Sequence, residues 1–313
     1  STAPITVNSG SYETSGDTVI KGAVNVQGGT FAANNSDPYT AFSPYAAIAT
    51  PENQMLMYSQ EDQCFKLQTP PDAEKSGSLT VTPAGGNAQT FTDATDAFAK
   101  ANEKGGTVQL TEDTALLNSV SGITVTGDVT LDLNGHSLTL DPLKISESAG
   151  CLHIANGGKL TIQDSSEGQN GKLNLNKAYG ITLAETNDSG KAVLNVQSGT
   201  IVGKKAAVYA YNKGAGQVNI SGGTLTADSY AVYMQDDSEN GGDTAALNVT
   251  GGVLSATSQS AIYTYGIKAS VTGGVVKANG HAAIHAYVSD LTIAGNAELV
   301  TTGDAQDGVL AIW

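Results

Sequence analysis

Three kinds of side chain in this sequence carry chemistry that a site could use. Oxygen ligands recur at alternate positions in Asp236-x-Ser238-x-Asn240-Gly241, like the opening of an EF-hand calcium loop, where a bidentate carboxylate must close the shell at the twelfth position. That position is Leu247, which has no oxygen to give, so the segment reads as a solvated acidic loop. Asp236 and Asp237 are neighbours, and neighbouring strand residues face opposite sides. A carboxylate pair acting on a glycosidic bond needs a fixed separation of roughly 5 to 9.5 Å across it. The histidines His136, His153, His281 and His285 show neither H-E-x-x-H nor finger-like spacing. No catalytic residue, no metal and no cofactor is therefore expected. The third kind is aromatic: Tyr209, Tyr211, Tyr233, Tyr263, Tyr265, His285 and Tyr287 recur at matched places in a repeat. Tyrosine combines rigid apolar area with a hydroxyl, the combination favoured at recognition surfaces.

The repeat that must position these rings begins at residue 193. It reads VLNVQSGTIVG from Val193, VNISGGTLTA from Val218, LNVTGGVLSA from Leu247, ASVTGGVVKA from Ala269 and LTIAGNAELV from Leu291. Its turn falls at Gly199, Gly223, Gly252, Gly274 and Asn296, in steps of 24, 29, 22 and 22 residues. A unit of about 22 residues with insertions fits, the long step holding the polar insertion Asp236–Asp243. A second mark follows each turn: Ala207-Val208-Tyr209, Ala231-Val232-Tyr233, Ala261-Ile262-Tyr263, Ala283-Ile284-His285 and Gly308-Val309-Leu310. Because strand side chains alternate between faces, Val and Ile at the mark point inward and Tyr209, Tyr233, Tyr263 and His285 outward in a column. Tyr211, Tyr265 and Tyr287 join them two residues later. A register shifted by one residue would bury the rings instead. Val218 with Ile220, and Leu247 with Val249, form an inner ladder, while Asn195, Asn219, Asn248, Ser270 and Thr292 between such pairs face outward. Short β-rich runs with no helix in each unit exclude leucine-rich repeats, which need L-x-x-L-x-L-x-x-N, and calcium-binding nonapeptides.

Composition limits the partners. The 313 residues carry 15 basic side chains, all Lys, against 30 acidic ones, a net charge of -15 that repels phosphate backbones and anionic lipid. Nucleic acid is excluded as a partner on this ground. Hydrophobic residues make up 40%, enough for a core, and no apolar run is long enough to span a membrane. Cys64 and Cys151 allow one disulfide or two buried thiols. Ser1 to Ile5 show no basic stretch followed by an apolar run, so no signal peptide is legible.

Upstream of the regular repeats, TDATDAFAKANEKGG places Ala94, Ala97, Phe98 and Ala101 at helical spacing, with Thr92 or Asp93 as N-cap and Gly105 as the stop. A helix near 93–104 would cover the open end of a solenoid. TVQLTEDTALL, GITVTGDVTLDLNGHSLTL and CLHIANGGKLTIQD read as strands of the first coils. Pro70-Pro71 and the following DAEKSG mark a linker, dividing a β-rich segment over 1–72 from a solenoid over 73–313. VNSGSY from Val7 and VNVQGGTFAA from Val24 make the first segment resemble the tail of a preceding repeat array. The last coil, closing near Trp313 without a helical cap, should present an apolar end face able to pair with another chain or with further sequence.

The motifs VNVQGGTFA, VNISGGTLTA, LNVTGGVLSA and LDLNGHSLTL resemble the right-handed parallel β-helix of the pectate-lyase-like superfamily, in the form found in repetitive bacterial surface proteins and adhesins. The resemblance implies an all-β, single-stranded parallel β-helix with an N-terminal capping helix. It covers roughly residues 91 to 313 and rests on scaffold residues, so it does not by itself assign chemistry. Lyases of that superfamily use an Arg or Lys base, often with calcium, and this chain has no Arg. The hydrolase branch would bring Gly-His-Gly, whereas His136 and His281 each follow Asn-Gly. The expectation is a non-catalytic extracellular module, a stalk or adhesin segment whose partners are host or bacterial glycans or a surface protein. A polysaccharide-binding module proper, and a lyase or glycoside hydrolase, are the alternatives.

Overall fold

Alternating triplets such as Val218-Asn219-Ile220 and Leu247-Asn248-Val249 form short strands in which the apolar pair is buried and the asparagine is partly exposed. A computed structural model describes residues 5–16, 18–34, 48–52, 54–143, 150–184, 190–211, 216–236, 245–302 and 309–312. The chain is all-β apart from one α-helix among these residues, and it divides into two compact units. One comprises residues 1–73, 118–121 and 143–149, the other 74–117, 122–142 and 150–313.

The larger unit holds three long sheets of ten, nine and eight strands. Gly106–Leu110 lies in the first, Thr114–Leu117 in the second and Ile123–Val125 in the third. Asp128–Asp132 then returns to the first sheet, and the cycle runs eight times among the described residues. Each strand of the cycle pairs in parallel with the third strand further on. Only the entry is antiparallel, where Leu79–Pro83 pairs with Gly106–Leu110 and Glu74–Ser76 with Thr114–Leu117. Parallel pairing in register superposes inward side chains, so Leu131, Ile162, Val196, Ile220, Val249 and Val271 form one buried file. The three sheets and the helix share a single apolar core.

Between the first and second sheets the chain turns on glycine. Gly199, Gly223, Gly252 and Gly274 hold φ between 76° and 85°. A Cβ on Gly252 would stand 2.8 Å from the carbonyl oxygens of both Gly222 and Gly223. Positive φ and stacked backbone together admit glycine alone at such a position. The last turn departs from the sequence reading. Glu298 pairs with Val275, so Ala297 and not Asn296 stands level with Gly274, and the positive φ moves to Gly295. One extra residue between Ile293 and Glu298 produces this shift. The fifth mark also moves by one: Ile284 pairs with Leu310, and Val309, assigned inward by its sequence position, is 43% exposed. A slip of one residue exchanges the faces of a strand. Gly308 and Trp313 lie outside the described residues.

The helix Ala94–Lys104 starts at Asp93, whose carboxylate accepts from Thr95 N at 2.8 Å and pairs with Lys75 at 2.5 Å. It stops at Gly105, with φ 77°. Ala94, Ala97, Phe98 and Ala101 are buried in the shared core.

In the smaller unit Val24–Val26 lies between Ile5–Val7 and Ile48–Ala49, all parallel. Ser11–Glu13 pairs in parallel with Thr30–Ala32, which runs antiparallel to Cys64–Gln68, and that strand forms a hairpin with Met55–Ser59. Val24, Val26, Phe31, Leu56 and Phe65 make its core.

Candidate functional site

The outer face of the third sheet gathers the aromatic residues. Strand pairing sets Tyr209 beside Tyr233, Tyr233 beside Tyr263 and Tyr263 beside His285. Their chain neighbours Val208, Val232, Ile262 and Ile284 are fully buried, so alternation turns the rings outward, where they are half-buried. Tyr209 and Tyr233 stack with centroids 5.1 Å apart, and Tyr233 and Tyr263 at 4.6 Å with planes 7° apart. His285 continues the file at 5.3 Å, tilted by 59°. A second row runs beside it through Tyr211, Gln235, Tyr265 and Tyr287. Tyr265 and Tyr287 stack at 5.3 Å, and Tyr287 is 40% exposed. Gln235 interrupts the aromatic row and ties it to the first, because Tyr233 Oη donates to Gln235 Oε1 at 2.6 Å. All seven residues singled out by spacing lie on this one face.

Two further rings belong to the cluster. Tyr230 meets Tyr233 and Tyr263 edge-on, at 5.2 and 5.9 Å. Tyr179 lies 3.9 Å from Tyr209, and its hydroxyl accepts from Lys205 Nζ at 3.2 Å. Each sits two residues before an inward Ile181 or Val232, a position that strict alternation assigns to the interior. At the first residue of a strand the ring instead folds over its outer neighbours. A Tyr-x-Ile/Val pattern at the strand start was the available signal. Beyond Tyr209 the outer file becomes polar, with Thr182 and His153, whose Nδ1 lies 2.9 Å from Thr182 Oγ1.

Burial pushes the Tyr230 hydroxyl above the usual phenol range. It acts likewise on Tyr233, where mutual repulsion with Tyr263 and Tyr230 adds to the shift. The raised hydroxyls of Tyr230 and Tyr233 suit hydrogen bonding rather than proton abstraction near neutral pH.

A second concentration of polar groups lies where the first sheet turns into the second. Asp132 accepts from Asn134 N and Ser165 N through Oδ1 and from Gln109 Nε2 through Oδ2. Asp164 accepts from Gly135 N, Ser166 N and Ser166 Oγ through Oδ1 and from Gly171 N through Oδ2. Buried carboxylates supplied by stacked backbone N–H groups hold turns together. A third ladder follows the outer asparagines: Asn219 Nδ2 donates to Asn195 Oδ1 at 2.9 Å, and Asn248 Nδ2 to Asn219 Oδ1 at 3.0 Å.

Asp236 is buried at 2% exposure, not solvated as the acidic-loop reading has it. Its N–H donates to Tyr265 O at 2.9 Å and carries the ladder one residue past Gln235. Residues 237–244, including Asp237, Ser238 and Asn240, lie outside the described residues. Cys64 and Cys151 are each buried, Cys64 in the smaller unit and Cys151 in the core of the larger. Among the described residues no three His, Cys, Asp or Glu side chains converge to hold a metal, and no helix is long and apolar enough to cross a membrane. Compared with family models, curated proteins and solved structures, the chain matches none.

Proposed function

We propose that the larger unit is a right-handed, single-stranded parallel β-helix capped by the helix Ala94–Lys104, serving as a non-catalytic extracellular module of a bacterial surface protein. In this reading it is a stalk or adhesin segment that contacts glycans through the tyrosine face. Return of the chain to the first sheet after every third strand supports the coil, as does the common core. Parallel crossovers are right-handed in about 98% of cases. Phe98 and the buried alanines of the helix, packed beside Leu79–Pro83 and Ile123–Val125, support the cap.

The observation that carries the functional reading is the register of Tyr209, Tyr233, Tyr263 and His285, which sets four half-exposed rings side by side, the three tyrosines stacked and His285 tilted. A polymer of sugar rings laid along the file meets aromatic edges and hydroxyls at strand-to-strand spacing. The charge of -15 favours neutral glycans over polyanionic ones. The same face fits a polysaccharide-binding module proper. A lyase using tyrosine as base is disfavoured, because burial moves the hydroxyls of Tyr230 and Tyr233 away from the range a base needs.

A glycan array probed with labelled protein, with and without calcium, tests the contact. The reading expects selective hits that Tyr263→Ala or Tyr287→Ala abolishes. A silent array, or hits indifferent to both substitutions, overturns glycan contact through this face.

A further inference from the structure

The aromatic face of the third sheet has a measurable step and a measurable length. Val208, Val232, Ile262 and Ile284 pair in turn with no residue inserted between the strands, so the outer positions that follow them align without a sideways step. Along this file the ring centroids advance by 5.1 Å from Tyr209 to Tyr233, 4.6 Å from Tyr233 to Tyr263 and 5.3 Å from Tyr263 to His285. The neighbouring row keeps the same step, 5.3 Å between Tyr265 and Tyr287. Across the strip, Tyr209 and Tyr211 lie 6.1 Å apart with planes 9° from parallel. The file of rings is four strands long, because its next positions are Thr182 at one end and Ala311 at the other.

One ring per strand selects among polymers by shape. An extended β-1,4-linked pyranose chain advances per sugar by nearly the strand-to-strand distance, about 4.8 Å, and its equatorial hydroxyls recur with every sugar. Laid across the strands, such a chain stays in step with the rings along the whole file. An α-1,4-linked chain of the same sugars coils, so it leaves the strip after a short contact. The charge of -15 favours an uncharged chain over a polyanionic one.

We infer that this face takes an extended, neutral β-1,4-linked glycan, one sugar to each strand from Tyr209 to His285. The inference rests on glycan contact through the tyrosine face and adds linkage and length to it. Each sugar in step meets a further ring edge and its polar atoms, so affinity grows sugar by sugar. Growth stops at the fourth sugar, where the next outer side chain is Thr182 or Ala311 and the aromatic surface ends.

Isothermal titration calorimetry with cello- and manno-oligosaccharides of increasing length, against malto-oligosaccharides of the same lengths, tests linkage and step together. In a β-1,4 series the affinity should climb severalfold with each sugar up to the tetrasaccharide and then level off. The malto tetrasaccharide should bind about tenfold more weakly or worse. His285→Ala removes the last ring of the file, so it should bind the trisaccharide as wild type does and gain nothing from a fourth sugar. Retained trisaccharide binding also shows that this variant folds. Malto-oligosaccharides that bind as well as the β-1,4 series, affinity indifferent to length, or a His285→Ala variant that still gains from the fourth sugar would overturn the inference and leave glycan contact standing. So would failure of all three series beside array hits of other chemistry. Failure of all three beside a silent array would overturn glycan contact too.

Discussion

Tyr233 and Tyr263 stack 4.6 Å apart with planes 7° from parallel because each follows an inward residue, Val232 or Ile262, in strands paired residue for residue. The outer face is thus a consequence of the inner one. The same registry that buries the branched side chains delivers the rings, and disturbing either should be felt by the other.

Tyr233 touches Tyr209, Tyr230 and Tyr263, whereas Tyr287 stacks on Tyr265 and is 40% exposed. Aromatic pairs contribute about 0.5 to 1.5 kcal/mol beyond their buried area. Tyr233→Ala should cost roughly 2 kcal/mol of stability and Tyr287→Ala roughly 0.5, as read from denaturant midpoints.

Gly252 and Gly85 both hold positive φ, but a Cβ at Gly85 meets nothing within 4 Å. Gly85→Ala should cost about 1 to 2 kcal/mol, from backbone conformation alone. Gly252→Ala should cost clearly more, because the new carbon meets two carbonyl oxygens. Equal thermal shifts for the two variants would contradict the stacked turn.

Burial works to raise the Asp164 carboxyl, but hydrogen bonds from Ser166, Gly171 and Gly135 outweigh it and hold the group below the usual carboxylate range. A lowered folded value means the stabilisation is present above the unfolded value, about 3.9, and is lost as pH falls through the folded one. The stability advantage of wild type over Asp164→Asn, measured by denaturant titration at several pH values, should shrink on acidification below about pH 4.

Burial pushes the Cys151 thiol up to about 12. The native chain should leave Cys151 unlabelled by iodoacetamide at neutral pH and label it on unfolding, as peptide mass spectrometry would show. Rapid native labelling would contradict its place in the core.

The strands, their inward files and the helix were legible because each rests on local periodicity: alternation for Val218 and Ile220, and helical spacing closed by Asp93 and Gly105 for Ala94 to Ala101. Legibility failed where one residue is added or where a strand begins. The longer turn before Glu298 moved the register point from Asn296 to Ala297, and Leu310 took the inward place assigned to Val309. Tyr179 and Tyr230 escaped because alternation assigns the position two before Ile181 or Val232 to the interior, whereas at the first residue of the strand the ring folds over its outer neighbours. Asp132 and Asp164 escaped for another reason: their hydrogen bonds come from residues up to 33 positions away, which only stacking brings together.

The affinity of wild type and Tyr263→Ala for one glycan, with both proteins shown to be folded by their β-sheet circular dichroism, tests the central claim most directly. The account predicts saturable binding by wild type, weakened about tenfold or more by loss of this one stacked ring, equivalent to ~1.4 kcal/mol. Equal affinity of the two proteins, or no saturable binding by wild type, would contradict it.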